Sequence, residues 1–223
     1  ITADKNITEE ISKIFFFFSN NFKTGEYKYL AVAPFFMRYM FVDLIDKEIA
    51  NAKAGKTAYM ILKMNSLVDK DMIAKLYEAS QAGVKITLIV RGICSLVTEI
   101  EGFSDNIKAY SIVDKYLEHA RVFIFANGGN EKIYITSADW MSRNLDSRSE
   151  VAVPILDPDV KKQIKDIINI QLSGNTKVRI LDRLQQNLYV KPKPGNKKIR
   201  VQDETYNYLK ADKEAYLKTI KHN

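Results

Sequence analysis

The sequence is poor in cysteine, histidine, glycine and proline, and each shortage excludes something. Its one cysteine, Cys94, rules out an internal disulfide and leaves no thiolate set for zinc. A single thiol fits a reducing compartment. The two histidines are His119 and the penultimate His222, which lies where chain ends fray, so imidazole chemistry falls to His119. Nine glycines and five prolines exclude collagen-like and Gly/Pro-rich low-complexity classes. No apolar run approaches the roughly 18 residues of a transmembrane helix. The stretch Ile14-Phe15-Phe16-Phe17-Phe18 is too short for a signal-peptide core and lacks its flanks.

What is present is enough for a core. Over 223 residues, 46% are hydrophobic and 11% aromatic, which suits one large domain or two small ones and excludes disorder as the main state. Lys and Arg number 34 against 27 Asp and Glu, a net charge of +7. That balance favours anionic partners: phosphates, nucleic acid or lipid head groups. The chain opens at Ile1 rather than Met and reads as an excised piece.

Periodicity lays out the elements. Residues 8–18 read as a helix with Thr8 as N-cap and Ile7, Ile11, Ile14, Phe15 and Phe18 at helical spacing. Phe16 and Phe17 widen the apolar surface, so this helix wants cover on most sides. Residues 29–33 read as a buried strand. Pro34 then opens a long helix to about residue 54, closed by Gly55. A strand at 58–64, a helix capped by Ser66 or Asp69 and stopped by Gly83, and a strand at 84–90 complete a βαβαβ signature. An irregular loop, a strand at 107–113 and a hairpin follow. The hairpin joins 121–125 to 132–135 through Asn127-Gly128-Gly129-Asn130. A strand at 150–156 precedes a helix capped by Asp157 or Asp159. A basic linker at 191–198 leads to a last helix at 202–220. The expected class is α/β, with a mixed, largely parallel sheet flanked by helices.

Ligands of parallel α/β sheets bind beyond the carboxyl ends of the strands. Arg91 follows directly on the strand ending at Val90, where a fork of donors suits phosphate oxygens. On pattern alone it reads equally well as an arginine paired to a loop carboxylate. His119 and Arg121 are two apart and share a face if the chain is extended. An imidazole and a cation together can move a proton and neutralise phosphate oxygens. For a lone His-X-Arg, an ordinary surface or core histidine is the commoner outcome. Ser137 ends a strand, where its hydroxyl and free N–H groups suit an oxyanion. Trp140 reads as a core anchor. Arg143 and Arg148 lie near one strand end and extend a polyanion site, or belong to a solvated loop. Lys191, Lys193, Lys197, Lys198 and Arg200 read as a solvated linker, with a polyanion track as the sharper alternative. Cys94 has no His or Asn nearby in sequence to activate it.

Several long motifs carry a resemblance. They are Met64-Asn65-Ser66-Leu67-Val68-Asp69-Lys70, Leu88-Ile89-Val90-Arg91-Gly92-Ile93-Cys94-Ser95-Leu96, Ser111-Ile112-Val113-Asp114-Lys115-Tyr116-Leu117-Glu118-His119-Ala120-Arg121 and Ser137-Ala138-Asp139-Trp140-Met141-Ser142-Arg143-Asn144-Leu145-Asp146. In this order they resemble the C-terminal part of bacterial polyphosphate kinases, over nearly the whole chain. The resemblance implies a phospholipase D-like domain, with residues 1–28 a remnant of the preceding catalytic domain and 29–223 the C-terminal domain. It implies reversible transfer of the terminal phosphate of ATP to inorganic polyphosphate. By it, His119 matches a catalytic histidine that contacts ATP phosphates or acts as acid/base. Arg91 matches a phosphate-binding arginine and Arg148 a further one. The histidine that becomes phosphorylated, the magnesium ligands and the adenine-contacting region would lie outside this chain, together with the first catalytic domain. ATP, ADP, polyphosphate and magnesium are the implied ligands, and the implied setting is a homo-oligomer in the cytoplasm, with or without membrane association. Removal of the preceding domain would account for the uncovered phenylalanines. The phospholipase D pattern itself is imperfect: it has His-X-Lys and a downstream Asp, against His119-Ala120-Arg121 and Asn127 here. A free-standing phosphodiesterase or nuclease using His119 is one alternative reading, and a non-enzymatic polyanion or nucleic-acid module another.

Overall fold

The computed structural model describes residues 1–20, 25–192 and 194–221; Lys193 and His222 lie outside the described residues. The described residues form eight strands: β1 (Ala31–Ala33), β2 (Tyr59–Met64), β3 (Lys85–Val90), β4 (Ile107–Ile112), β5 (Arg121–Phe125), β6 (Lys132–Thr136), β7 (Glu150–Pro154) and β8 (Val178–Ile180). They make one sheet in the order β1-β7-β6-β5-β2-β3-β4-β8. Alternate residues of β2 face opposite sides, and that alternation sorts the layers. Met60, Leu62 and Met64 pack on α2 (Met37–Lys53) and α3 (Lys70–Gln81). On the other face, Tyr59 and Ile61 pack with Ile164 and Ile168 of α5 (Pro158–Ser173). Val201, which starts α6 (Val201–Lys221), is buried there against Ile89, Ile112 and Val178. The helix α1 (Lys5–Ser19) also lies on that second face, where Ile7, Ile11 and Ile14 meet Val32, Val151 and Val153.

The main core lies under α2 and α3. Phe41, Phe123 and Trp140 are fully buried, with Phe41 and Phe123 ring centroids 5.9 and 5.3 Å from that of Trp140. Each such side chain contributes roughly 1.5–3 kcal/mol by leaving water. Trp140 is thus the anchor its type suggested. It also fixes the chain that follows β6, because its carbonyl accepts the Val68 and Asp69 N–H groups, each at 3.0 Å.

The sheet is mixed and helix-flanked as expected, but less of it is parallel. Of its seven neighbouring pairs only β2·β3 and β3·β4 are parallel. The β5–β6–β7 meander inserts between β1 and β2, so the first strand of the apparent βαβαβ run stands at the sheet's edge. Periodicity reports which face a residue takes and says nothing of strand order.

Local signals placed most boundaries. Asp69 and Asp157 cap α3 and α5 with side-chain acceptors. Asn127 (φ 47°) and Gly128 (φ 66°) take the left-handed conformations that reverse the β5–β6 hairpin. Two caps differ. Asp4, not Thr8, caps α1, while the Thr8 hydroxyl donates back to the Asp4 carbonyl at 3.0 Å. Pro34 begins a turn, and α2 starts only at Met37. The short α4 (Ser142–Asp146) and β8 carry no periodic signal in the sequence. Among the described residues no helix is long and apolar enough to cross a membrane.

Candidate functional site

The carboxyl ends of β2 and β3 and the amino end of β5 meet at one edge of the sheet, because Lys63 pairs with Val122 and Met64 with Val90. Asn65 and Arg91 are the first residues beyond the two parallel strands. Their chains run unusually close: the Gly92 N–H donates to the Asn65 carbonyl at 2.7 Å. A Cβ at position 92 would lie 2.9 Å from that oxygen, so glycine is needed there. Arg91 Nη2 donates to the Asn65 side-chain carbonyl, a neutral acceptor. Its Nε is buried and, among the described residues, has no hydrogen-bond partner. The Arg91 guanidinium is therefore oriented by an amide, with no carboxylate against it.

Across β2 the same network continues. The Asn65 N–H donates to Asp139 Oδ1 at 2.7 Å. Arg121 donates from Nε and Nη2 to the two oxygens of Asp139, each at 3.0 Å. Burial alone would raise the Asp139 carboxyl, but hydrogen bonds from Arg121 and from the Asn65 and Ser66 main chain outweigh it and hold it below the usual range. The Arg121 guanidinium then lies along His119, with Nη1 3.2 Å from Nδ1 and Nη2 3.2 Å from Nε2. The in-plane directions of the two ring nitrogens diverge, so they cannot both aim at one guanidinium. Donor and acceptor roles in these contacts depend on the imidazole tautomer, and the His119 side chain is exposed.

Arg91 and His119 thus belong to one connected group, Arg91–Asn65–Asp139–Arg121–His119. Arg148 lies on the same sheet edge just before β7, with its N–H donating to the Arg143 carbonyl at 2.9 Å. Its side chain is exposed and, among the described residues, makes no hydrogen bond to this group. Strands β5 and β7 are two spacings apart in the sheet, about 10 Å.

Other expectations change. By type and place Arg121 suits phosphate oxygens, but Asp139 already neutralises it. Ser137 is not a free oxyanion site: its hydroxyl donates to Glu150 and accepts the Val151 N–H, and its own N–H pairs with the Val151 carbonyl. Asn127 lies at the opposite end of β5 from His119 and takes no part. In the basic tail, Arg200 pairs with Asp114 and Lys197 with Glu204, so those two cations are engaged; Lys191 and Lys198 are exposed. Burial pushes the Cys94 thiol up, away from thiolate chemistry. Asp139 was missed as a site residue. The hairpin register held the signal, since it pairs Arg121 with Thr136 and so brings Asp139 to the same edge.

Beside His119 a cavity of about 530 Å³ opens between β5, α5 and the start of α6. Leu117, Ile135, Ile164 and Ile168 make its wall apolar, and Lys63, Glu118 and Gln171 supply polar groups.

The family model of polyphosphate kinase C-terminal domain 2 matches residues 30–202. Polyphosphate kinase of Klebsiella pneumoniae is 48% identical over 211 residues, which are 95% of this chain and 31% of that protein. The crystal structure of polyphosphate kinase from Porphyromonas gingivalis superposes with a TM-score of 0.92 at 43% identity, covering 96% of this chain and 33% of the other. The phospholipase D family member Nuc from Salmonella typhimurium gives a TM-score of 0.50 at 15% identity, over 69% of this chain and 96% of its own, a likeness of fold. The chain spans about a third of the length of the polyphosphate kinases it matches. On these matches, the chain belongs to the polyphosphate kinase family, as its C-terminal domain 2.

Proposed function

We propose that this domain forms part of the phosphate-binding site of an enzyme that reversibly transfers the terminal phosphate of ATP to inorganic polyphosphate. In this reading Arg91 and Arg148 bind phosphate oxygens, and His119 faces the transferred group and protonates or orients the leaving oxygen. The nucleophile is a histidine of the preceding catalytic domain. It bonds to the γ-phosphorus as the bond to the β–γ bridging oxygen breaks, ADP leaves, and the phosphoryl group passes on to the polyphosphate terminus. Residues 1–28 are assigned to that preceding domain and 29–223 to this one. The apolar cavity beside His119 suits the non-phosphate part of a nucleotide.

One observation carries this reading. Arg91 is fixed in place yet keeps its charge uncompensated, with a buried Nε lacking a partner, in the same hydrogen-bonded group as an exposed imidazole. A phosphate would supply the missing anion at the part of the half-buried guanidinium that is open to solvent. The described residues build no protein cage for magnesium, an ion held chiefly through substrate phosphates. They hold no group of three or more potential ligands, and Asp139 and Glu118 are each engaged by a cation. No step is therefore assigned to the metal here.

The reading is tested with ATP, magnesium and polyphosphate. This chain alone should bind polyphosphate and build none. In the full-length enzyme, His119→Ala should slow synthesis by about 100-fold or more, the usual worth of a general acid or base. Chain growth by the isolated domain, or full activity in His119→Ala, would sink it.

A further inference from the structure

His119 sits in a segment with almost no structure of its own. Between β4 and β5, residues 113–120 make no main-chain to main-chain hydrogen bond among the described residues. Side chains do the holding: Arg121 Nη1 donates to the His119 carbonyl at 3.1 Å, and the residues at the start of α6 hold the rest of the segment. Gln202 grips Tyr116 in both directions: its Oε1 accepts the Tyr116 N–H at 2.9 Å and its Nε2 donates to the Tyr116 carbonyl at 2.8 Å. The same Nε2 lies 3.1 Å from Glu118 Oε1. Arg200 donates from Nε and Nη2 to Asp114 at 2.8 and 2.6 Å, and that carboxylate side chain is only 1% exposed. Glu118, next to His119, also takes Lys63 Nζ at 2.6 Å and Gln171 Nε2 at 2.7 Å.

The gripping residues are themselves anchored. Val201, between Arg200 and Gln202, is fully buried under β3, β4 and β8. It packs so close to Gly174 that a Cβ there would lie 2.3 Å from Val201 Cγ1. Asn175 exchanges main-chain and side-chain hydrogen bonds with Ile199, at 3.2 and 2.7 Å. One end of the clasp is therefore part of the core, and the other holds a loop that has no ladder of its own.

We propose that Gln202, with Arg200, is a positioning residue for His119: the first turn of α6 and the residue just before it clasp residues 113–120 and set where the imidazole stands against Arg121. The catalytic consequence rests on the role proposed above for His119; the clasp itself does not. An unheld loop would move the ring by an ångström or more, and misplacement on that scale costs up to about 100-fold in rate.

The experiment uses Gln202→Met, which keeps side-chain length and loses the amide, and Arg200→Gln as a second variant. Gln163→Ala is the control, since it removes an α5–α6 contact to Asp212 away from the loop. With two histidines in the chain, His222→Gln leaves one imidazole to follow by NMR. Gln202→Met should shift or broaden the His119 ring resonance and speed amide exchange over residues 114–120 about tenfold or more. The control should do neither at similar thermal stability. In the full-length enzyme the same variant should lower kcat at least about tenfold with KM for ATP little changed. A ring resonance and loop exchange matching the Gln163→Ala control in both variants overturns the clasp. A displaced ring with kcat untouched supports the clasp and overturns the role given to His119.

Discussion

Two arginine clusters at the same sheet edge differ in one respect. Arg38, in the first turn of α2, donates to both oxygens of Asp69 at 2.7 and 2.8 Å and to both oxygens of Asp146 at 2.8 and 2.6 Å. Asp69 also accepts the Met72 N–H and the Ser142 hydroxyl, and so ties α2, α3 and α4 together. Arg91 has an amide on one nitrogen and nothing on another. The first cluster has four of its five guanidinium N–H groups on carboxylates and builds the scaffold. The other has no carboxylate on its guanidinium among the described residues. Arginine content alone separates neither from the other; the count of acceptors around each guanidinium does.

The sharpest way to break this comparison is to delete each arginine and measure stability. Arg38→Ala leaves Asp69, 2% exposed, as a buried carboxylate without its cation. It should destabilise the domain by about 3 kcal/mol, as removal of one partner from a buried pair does. Urea unfolding reads this directly. A loss below about 1 kcal/mol would make the Arg38 cluster as dispensable as a surface pair.

Acid should separate the clusters next. Burial would raise the Asp69 carboxyl, but Arg38, the Met72 N–H and the Ser142 hydroxyl bring it from 3.8 down to about 2 in the folded chain. The folded value lies below the unfolded one, so the stabilisation is complete above about pH 4–5 and is lost as pH falls towards 2. That gap is worth about 2 kcal/mol. The pH dependence of stability between 5 and 2 should accordingly be shallower in Asp69→Asn by about that amount. Parallel curves for the two proteins would show that Asp69 gains nothing from its cluster.

These clusters also mark the limit of what the linear sequence reveals. Caps such as Asp69 and Asp157, the hairpin at Asn127-Gly128 and the facing of His119 on Arg121 depend on residues a few positions apart, and were legible. The position of Arg91 at the carboxyl end of a parallel strand followed from its place in the sequence. Asp139 was not legible as a site residue. Its partners Arg121 and Asn65 are 18 and 74 residues away, and only the strand order brings them together. The same insertion of β5–β7 between β1 and β2 hid how little of the sheet is parallel. The clasp on Tyr116 spans 86 residues, and nothing in the local sequence marks Arg200 and Gln202 as partners of residues 113–120.

Arg91→Ala is the counterpart of Arg38→Ala, with the smallest expected effect on stability and a large one on binding. Removing a guanidinium that faces no carboxylate strands no buried charge, and it abolishes the unpartnered Nε. The Asn65 carbonyl loses one donor, while its main-chain N–H stays on Asp139 and its Nδ2 stays near Ser66. The change in unfolding free energy should therefore stay within about 0.5 kcal/mol. Affinity for ATP and polyphosphate should fall about tenfold or more, the share of a charge-assisted pair with phosphate. For the wild-type domain, polyphosphate binding should also weaken with added salt as the Debye length shrinks from about 10 Å at 0.1 M to about 3 Å at 1 M. Unchanged affinity in Arg91→Ala at low salt would remove Arg91 from the site. A stability loss as large as that of Arg38→Ala would erase the distinction between an arginine held by carboxylates and one that faces none.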